Sequence, residues 1–262
     1  MLTSHSSFYR RFSGICLLVV GALNLLNIML GTMPAPTKVA LLVVWLVVVV
    51  GFLMWASASI ASGVYVDALI CNRRKKNMIA LSFDDGPDEA TPQILDMLKE
   101  HQAKASFFII GKKIAANKEV VLRMIAEGHT VGHHSWSHSP RFPLKSSKEI
   151  RKEIVCAQST LEVLSGQKHS WFRPPYGVTN PMIANALKGL GLKVAGWSIR
   201  SLDTKDEAAD VVYKRVVSRI KGGDIVLLHD TSANILPLLE RLLISIAERK
   251  MECVSIDSLV EK

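Results

Sequence analysis

From residue 77 onward, short apolar runs alternate with charged, amphipathic stretches about seven times, and no other feature narrows the fold as much. Apolar runs at 78–83, 105–110, 130–132, 170–173, 192–197, 224–229 and 252–256 have the length of buried strands. The stretches at 91–101, 118–127, 147–164, 181–190, 205–220 and 234–249 show the three-to-four-residue apolar spacing of helices. Strand and helix in strict alternation require a parallel sheet, open or closed, because each helix must cross back over it. We therefore expect an α/β fold, a distorted (β/α)7-type barrel, since seven strands suit a barrel slightly better than an open sheet. The chain shows no internal repeat and no low-complexity segment.

The first 76 residues are of a different kind. No charge interrupts 12–33, and a second uncharged run covers 39–63. A helix of about 20 apolar residues crosses a hydrocarbon layer, so each run is long enough to span. The connecting segment 31–38 carries Pro34 and Pro36 and reads as a tight turn. The expected organisation is a membrane anchor over 1–76, an α-helical hairpin, followed by a catalytic domain over 77–262. A cleaved leader followed by one span is the alternative for the first run, which Asn24 and Asn27 weaken as a span. No small-x-small cleavage site follows it.

Composition sharpens this division. At 49% hydrophobic residues the chain buries enough surface to fold, which excludes disorder. Its four cysteines have no paired short spacing, so neither a zinc knuckle nor a disulfide scaffold is encoded. The formal net charge is +9, yet residues 1–76 hold seven Lys or Arg against one acid, Asp67. The basic excess is therefore mostly membrane flank, which points to membrane lipid as a partner and away from nucleic acid. Basic residues are not interleaved with aromatic ones as single-strand binders require.

In parallel α/β folds, chemistry gathers at the carboxyl ends of the strands. The first strand ends in Ser82-Phe83-Asp84-Asp85-Gly86-Pro87, two adjacent carboxylates before a sharp turn. An ordinary strand-end turn has the same composition, so this motif alone decides nothing. After the third strand, Gly132-His133-His134-Ser135-Trp136-Ser137-His138 places His134 and His138 four apart. On one helical turn both imidazoles would face the same way, as metal ligands do. Together with a strand-end carboxylate they form a two-His, one-carboxylate set with open positions. Further strand ends supply Arg173 in Phe172-Arg173-Pro174-Pro175-Tyr176-Gly177, Asp203 after Trp197, and His229-Asp230 after four aliphatic residues.

The motifs SFDDGP, HSWSH, RPPYG and LLHD, in this order and at these intervals, resemble those of the polysaccharide deacetylases. These are carbohydrate esterases of family 4, which share the NodB homology domain. The likeness runs from about residue 78 to 256. It implies a divalent metal, zinc foremost with Co2+, Mn2+ or Ni2+ as substitutes, and hydrolysis of N-acetyl or O-acetyl groups on sugar polymers. Residue by residue, it implies Asp85, His134 and His138 as metal ligands, Asp84 as catalytic base and His229 as catalytic acid. Arg173 matches the third-motif arginine, Asp203 the acid of the fourth motif, and Leu227 the lining of the acetyl pocket. The backbone amide of Tyr176 would join the oxyanion site.

Two departures stand out against that resemblance. Many relatives have an acid and a closing tryptophan where this chain has Arg200 and Thr204, which leaves an Arg173–Asp203 pairing in question. His133 stands where relatives often have Asn, and is expected as a second donor or a spare ligand. Two spans would put the N-terminus and the catalytic domain on one side of a bacterial inner membrane. Arg10–Arg11 and 73–76 flank that side against Lys38 alone, so the charge bias places the domain in the cytoplasm. The expected function is a metal-dependent hydrolase that de-N-acetylates an amino-sugar polymer of the peptidoglycan or chitin kind. The alternatives are a deacetylase or deformylase of a lipid-linked sugar at the inner leaflet, another hydrolase with this ligand set, or a membrane-anchored sugar-binding protein without turnover.

Overall fold

The computed structural model describes residues 19–261. Two apolar helices come first, α1 (Val19–Leu30) and α2 (Ala35–Ala58). Part of the first predicted span lies outside the described residues. Among the described residues α2 is the one helix long and apolar enough to cross a membrane, with a mean hydropathy of 2.8 over its best window. It has no charge after Lys38, and it begins directly behind Pro34, whose fixed φ suits a helix start. Lys38 turns back to donate to the Met29 carbonyl at 2.6 Å, where the end of α1 leaves acceptors free.

The rest is built on one nine-stranded sheet. Its strands are β1 (Ala68–Leu69), β2 (Met78–Asp84), β3 (Ala105–Ile109), β4 (Thr130–His133) and β5 (Trp171–Phe172), then β6 (Lys193–Ala195), β7 (Ile199–Arg200), β8 (Ile225–His229) and β9 (Glu252–Cys253). The order is β1-β6-β5-β4-β3-β2-β8-β7, with β9 joined to β2, and the ladders are parallel. The sheet curls into a half-barrel whose ends, β1 and β7, do not pair. This corrects the expected seven-unit barrel in strand number and in closure. The additional strands are two residues long, too short for any periodicity to register. The run at 192–197 divides into β6, and the chain bends before β7 takes its place beside β8.

Period-two alternation sorts the strand side chains. Ile79, Leu81 and Phe83 of β2 face outward into a core shared with α3 (Thr91–Glu100), α4 (Lys118–Ala126), α7 (Ala209–Val217) and α8 (Ile235–Glu248). A second outer core joins β5 and β6 to α5 (Ser147–Ser165) and α6 (Pro181–Leu187). The start of α5 is set by a capping box, in which Ser146 and Glu149 satisfy each other's backbone amides. Inside the curl lie Ala80, Phe108, Trp171, Ala195 and Ile225, closed below by Val254 and by Ile256 and Leu259 of α9 (Ile256–Val260). The sequence reading extends a strand over 252–256, whereas Ser255 caps α9 there by accepting from Ser258 N–H.

Upstream of residue 77, Ile60, Val66 and Ala68 pack into the second outer core, and β1 pairs with β6. The end of α2 is tied to the same body. Ala56 is buried, its carbonyl accepts from Ser62 Oγ at 2.9 Å, and Thr179 N–H donates to the Ser57 carbonyl at 3.0 Å.

Candidate active site

Parallel strands all point their carboxyl ends to the same edge of the sheet, so residues ending different strands meet there. Asp84, Asp85, His134, His138, Tyr176, Leu227 and His229 line a single cleft of about 270 Å³, with Gly177, Trp197, Arg200 and Thr204 completing its walls. Arg173 and Asp203 stand behind the walls, both buried. Apart from His133, each residue given a role from the sequence motifs is thus in the cleft or touches a residue that is.

Asp84 continues the inward register of Ala80 and is almost fully buried. Arg173 donates to its Oδ1 at 2.7 Å, and also to the carbonyls of Gly196 at 2.8 Å and Ala195 at 3.4 Å. The guanidinium lies over the Phe108 ring, 4.0 Å from its centroid. A buried charge persists only when its donors are used up, and here the arginine is committed on all sides. Burial drives the Asp84 carboxyl above its ordinary range, while the charges of Arg173 and His229 oppose the rise. A carboxylate moved upward is a stronger base near neutral pH.

Asp85 follows with φ of 71°, which turns its side chain away from that of Asp84. Its Oδ1 is buried without a hydrogen-bond partner, 3.3 Å from His138 Nε2 and 3.8 Å from His134 Nε2. The donor atoms of these residues lie within 4.8 Å of one another. Tetrahedral zinc with bonds of about 2.1 Å separates neighbouring ligand atoms by roughly 3.4 Å, so the set fits a divalent ion. His134 Nδ1 is 2.7 Å from the Arg173 carbonyl, which only accepts, so this nitrogen carries the proton. The Nε2 lone pair is left towards Asp85. Burial, and after it His138, lowers the His134 pKa to about 3, which keeps the ring neutral as a ligand must be.

The His-x-x-x-His pair does not ride on a helical turn. Residues after β4 form a loop in which Ser135 and His138 have φ of 65° and 49°, and His138 N–H donates to Ser135 Oγ at 3.1 Å. This curl brings the two rings 4.7 Å apart, achieving by loop geometry what the spacing implied for a helix. His133 is a correction of another sort. It pairs in register with Phe172, whose side chain belongs to the outer core, and its ring lies 5.1 Å from the phenyl ring. Facing outward, it is neither a ligand nor a donor to the site, and burial lowers its pKa to about 3.

On the other side of the cleft, His229 Nδ1 meets Asp203 Oδ1 at 2.8 Å, and Asp203 Oδ2 accepts the His229 backbone N–H at 2.8 Å. Asp203 therefore pairs with His229, and Arg173 with Asp84, which answers the pairing left in question. Burial alone would lower the His229 pKa; the hydrogen bond and charge of Asp203, with Asp84 and Asp85, overcome it and raise the value. Tyr176 adopts φ of 64° in the turn after Arg173, and its ring lies 4.7 Å from that of His138. Gly177 follows with φ of 67°, and a Cβ there would sit 2.3 Å from the Trp197 ring.

Sequence reasoning missed the residues that hold this machinery in place. Lys113 donates to the Asp85 carbonyl at 2.8 Å and to Asp88 at 2.7 Å, fixing the turn that carries the Asp85 carboxylate. Asp230 accepts a short hydrogen bond from Thr91 and packs so closely on Gly86 that a Cβ there would lie 2.3 Å from its Oδ2. Burial raises its pKa to about 7. Its place directly after His229 was the available clue, whereas Lys113 in a Gly-Lys-Lys loop offered none.

The polysaccharide deacetylase family profile matches residues 72–195. The peptidoglycan-N-acetylglucosamine deacetylase PgdA of Listeria monocytogenes is 37% identical over 182 residues, 69% of this chain and 38% of that protein. The chain thus spans well under half the length of that relative. A shorter peptidoglycan-N-acetylglucosamine deacetylase of Bacillus cereus is 35% identical, over 63% of this chain and 78% of its own length. The solved structure of the peptidoglycan deacetylase PdaC from Bacillus subtilis superimposes with a TM-score of 0.66 at 33% identity, covering 70% of this chain and 90% of that one. From the curled sheet to the order of its strand-end motifs, the chain belongs to the polysaccharide deacetylase family, carbohydrate esterase family 4.

Proposed function

We propose that this chain is a membrane-anchored, divalent-metal-dependent hydrolase that removes N-acetyl groups from an amino-sugar polymer of the peptidoglycan kind. The observation that carries the reading is the separation of two buried pairs, Asp84–Arg173 and His229–Asp203, on either side of the Asp85–His134–His138 donor set. A divalent ion held by that set, zinc foremost, supplies Lewis acidity and lowers the pKa of water towards about 7. Asp84, oriented by Arg173, accepts the proton of the attacking water. Tyr176 N–H donates to the oxyanion as it develops on the acetyl carbonyl oxygen. His229, held protonated by Asp203, gives its proton to the departing sugar nitrogen, which leaves poorly until protonated. Leu227 packs against the acetyl methyl. A sugar-binding protein without turnover needs neither a base nor an acid, and both are built here.

The relatives from Listeria monocytogenes and Bacillus cereus are named for peptidoglycan N-acetylglucosamine and PdaC of Bacillus subtilis for N-acetylmuramic acid, and N-acetylglucosamine of the cell wall is the first substrate we assign to this chain. A second reading, a lipid-linked N-acyl sugar, is supported by the contact between Thr179 and the end of α2 beside the cleft loop. The charge bias read from the sequence favours the cytoplasmic side. The test is acetate release by the full-length protein from peptidoglycan fragments, chitooligosaccharides and a lipid-linked N-acetyl sugar, with and without chelator. Release that a chelator stops and added Zn2+ restores is expected. Equal release by wild type and Asp84→Asn, or release untouched by chelation, would overturn the reading.

A further inference from the structure

The cleft contains one cation with nothing to hold. Arg173 is spent on Asp84 and two carbonyls, and Lys113 on Asp88 and the Asp85 carbonyl. Arg200, at the end of β7, also lines the cleft, and its guanidinium has no hydrogen-bond or ion-pair partner among the described residues. Its position is fixed by the sheet. Arg200 is the Cα partner of Leu227 across the β7–β8 ladder, so the two side chains leave the same face of the sheet. Neighbouring strands run about 4.8 Å apart, which puts the arginine beside the residue assigned to the acetyl methyl. The preceding Ile199 turns outward into the main core and anchors the strand.

We propose that Arg200 selects substrates carrying an oxyanion on a carbon next to the acetamido carbon. A carboxylate on an ether-linked side chain, as in N-acetylmuramic acid, and a phosphate on the anomeric carbon share this chemistry. A neutral glycan offers the guanidinium only hydroxyl groups. A carboxylate or phosphate accepts two parallel N–H bonds in the planar geometry an arginine presents, and such charge-assisted pairs are the stronger kind. The inference rests on the deacetylase reading and deepens it, by naming the substrate feature that this wall of the cleft recognises.

The experiment compares three substrates with the full-length, metal-loaded protein: N-acetylmuramic-acid-containing glycan, N-acetylglucosamine 1-phosphate and neutral chitooligosaccharide. Acetate release gives kcat/KM, and calorimetric binding of the same sugars gives Kd without turnover. Relative to wild type, Arg200→Ala is expected to lower the acidic-to-neutral ratio by about tenfold, through KM more than kcat. Arg200→Glu is expected to lower it further, and Arg200→Lys to recover most of it. Loss confined to the carboxylate or to the phosphate arm identifies which oxyanion is read. An unchanged ratio in Arg200→Ala and Arg200→Glu, in turnover and in binding, would overturn the proposal while leaving the deacetylase intact. If no substrate releases acetate, the function proposed above fails, and the binding ratios still decide the role of Arg200.

Discussion

The two ends of the half-barrel are built to opposite rules. At the amino end, Val254, Ile256 and Leu259 plug the interior, and the one carboxylate among them is fully used. Asp257 accepts from Thr130 Oγ1 at 2.8 Å and from Trp171 Nε1 at 2.8 Å. At the carboxyl end, buried oxygens of Asp85 and Asp230 are left without partners, and two acid–base pairs sit a few ångströms apart. At the amino end Glu127 Oε2 is also buried without a hydrogen bond but lies 3.7 Å from His129 Nε2, whereas Asp85 Oδ1 faces the two cleft histidines, where a ligand would satisfy it. Size does not mark the difference. A hollow of about 430 Å³ near the amino end, lined by His101, Leu243, Lys250 and Met251, is larger than the catalytic cleft and has no converging pairs.

The contrast can be broken most sharply at Asp84. Asp84→Asn keeps the shape and the hydrogen bond to Arg173 while removing the base, and kcat/KM is expected to fall about 10³-fold, with Tm lowered because the buried Arg173 charge loses its counter-charge. Steady-state kinetics at a temperature where the variant is folded would check this, and a kcat/KM close to wild type there would take the base role away from Asp84. The plug should answer in reverse. Ile256→Ala empties a fully buried site and is expected to cost about 3 kcal/mol in denaturant unfolding, with kcat/KM on the metal-loaded protein retained.

Metal connects the two ends through stability. Adding Zn2+ at a hundredfold excess over its Kd is expected to stabilise the fold by about 2.7 kcal/mol, and His134→Ala should abolish the gain. A melt insensitive to Zn2+ would separate the donor set from metal binding. The smallest effect concerns pH. Asp203→Asn removes the strongest of the effects that raise His229, leaving only Asp84 and Asp85 against burial, so the protonated imidazole is lost at lower pH. The alkaline limb of kcat/KM should therefore move to lower pH, with a fall of about tenfold at neutral pH. A limb that stays in place would take the acid role away from His229.

Sequence made the catalytic end legible because its residues are tied to long strands. β2, β3 and β8 run five to seven residues and end in Asp84-Asp85, Ile109 and His229, so pattern and motif reinforced each other. β1, β7 and α9 escaped, being only two to five residues long, and with them the open seam of the barrel. The His134–His138 spacing named the right side chains for a geometrical reason that does not hold, since two left-handed residues replace the helical turn. His133 was misread although strand parity contained the answer: as the last residue of β4 it continues the outward face of Val131, while His134 lies in the loop beyond the strand. The partners of Arg173 and Asp203 lay far apart in the chain, and only the folded sheet pairs them.

The hydrogen bond from Thr179 to Ser57 has a mechanical consequence. Only Gly177 and Val178 separate Thr179 from Tyr176, so the end of α2 is tied directly to the cleft loop. Were α2 seated in a bilayer, as proposed, this tie would keep the cleft close to the lipid surface. Encounter with substrate becomes a search in two dimensions, confined to a thin shell within the enzyme's fixed reach. Under the proposed function, glycan strands beyond that shell would stay acetylated.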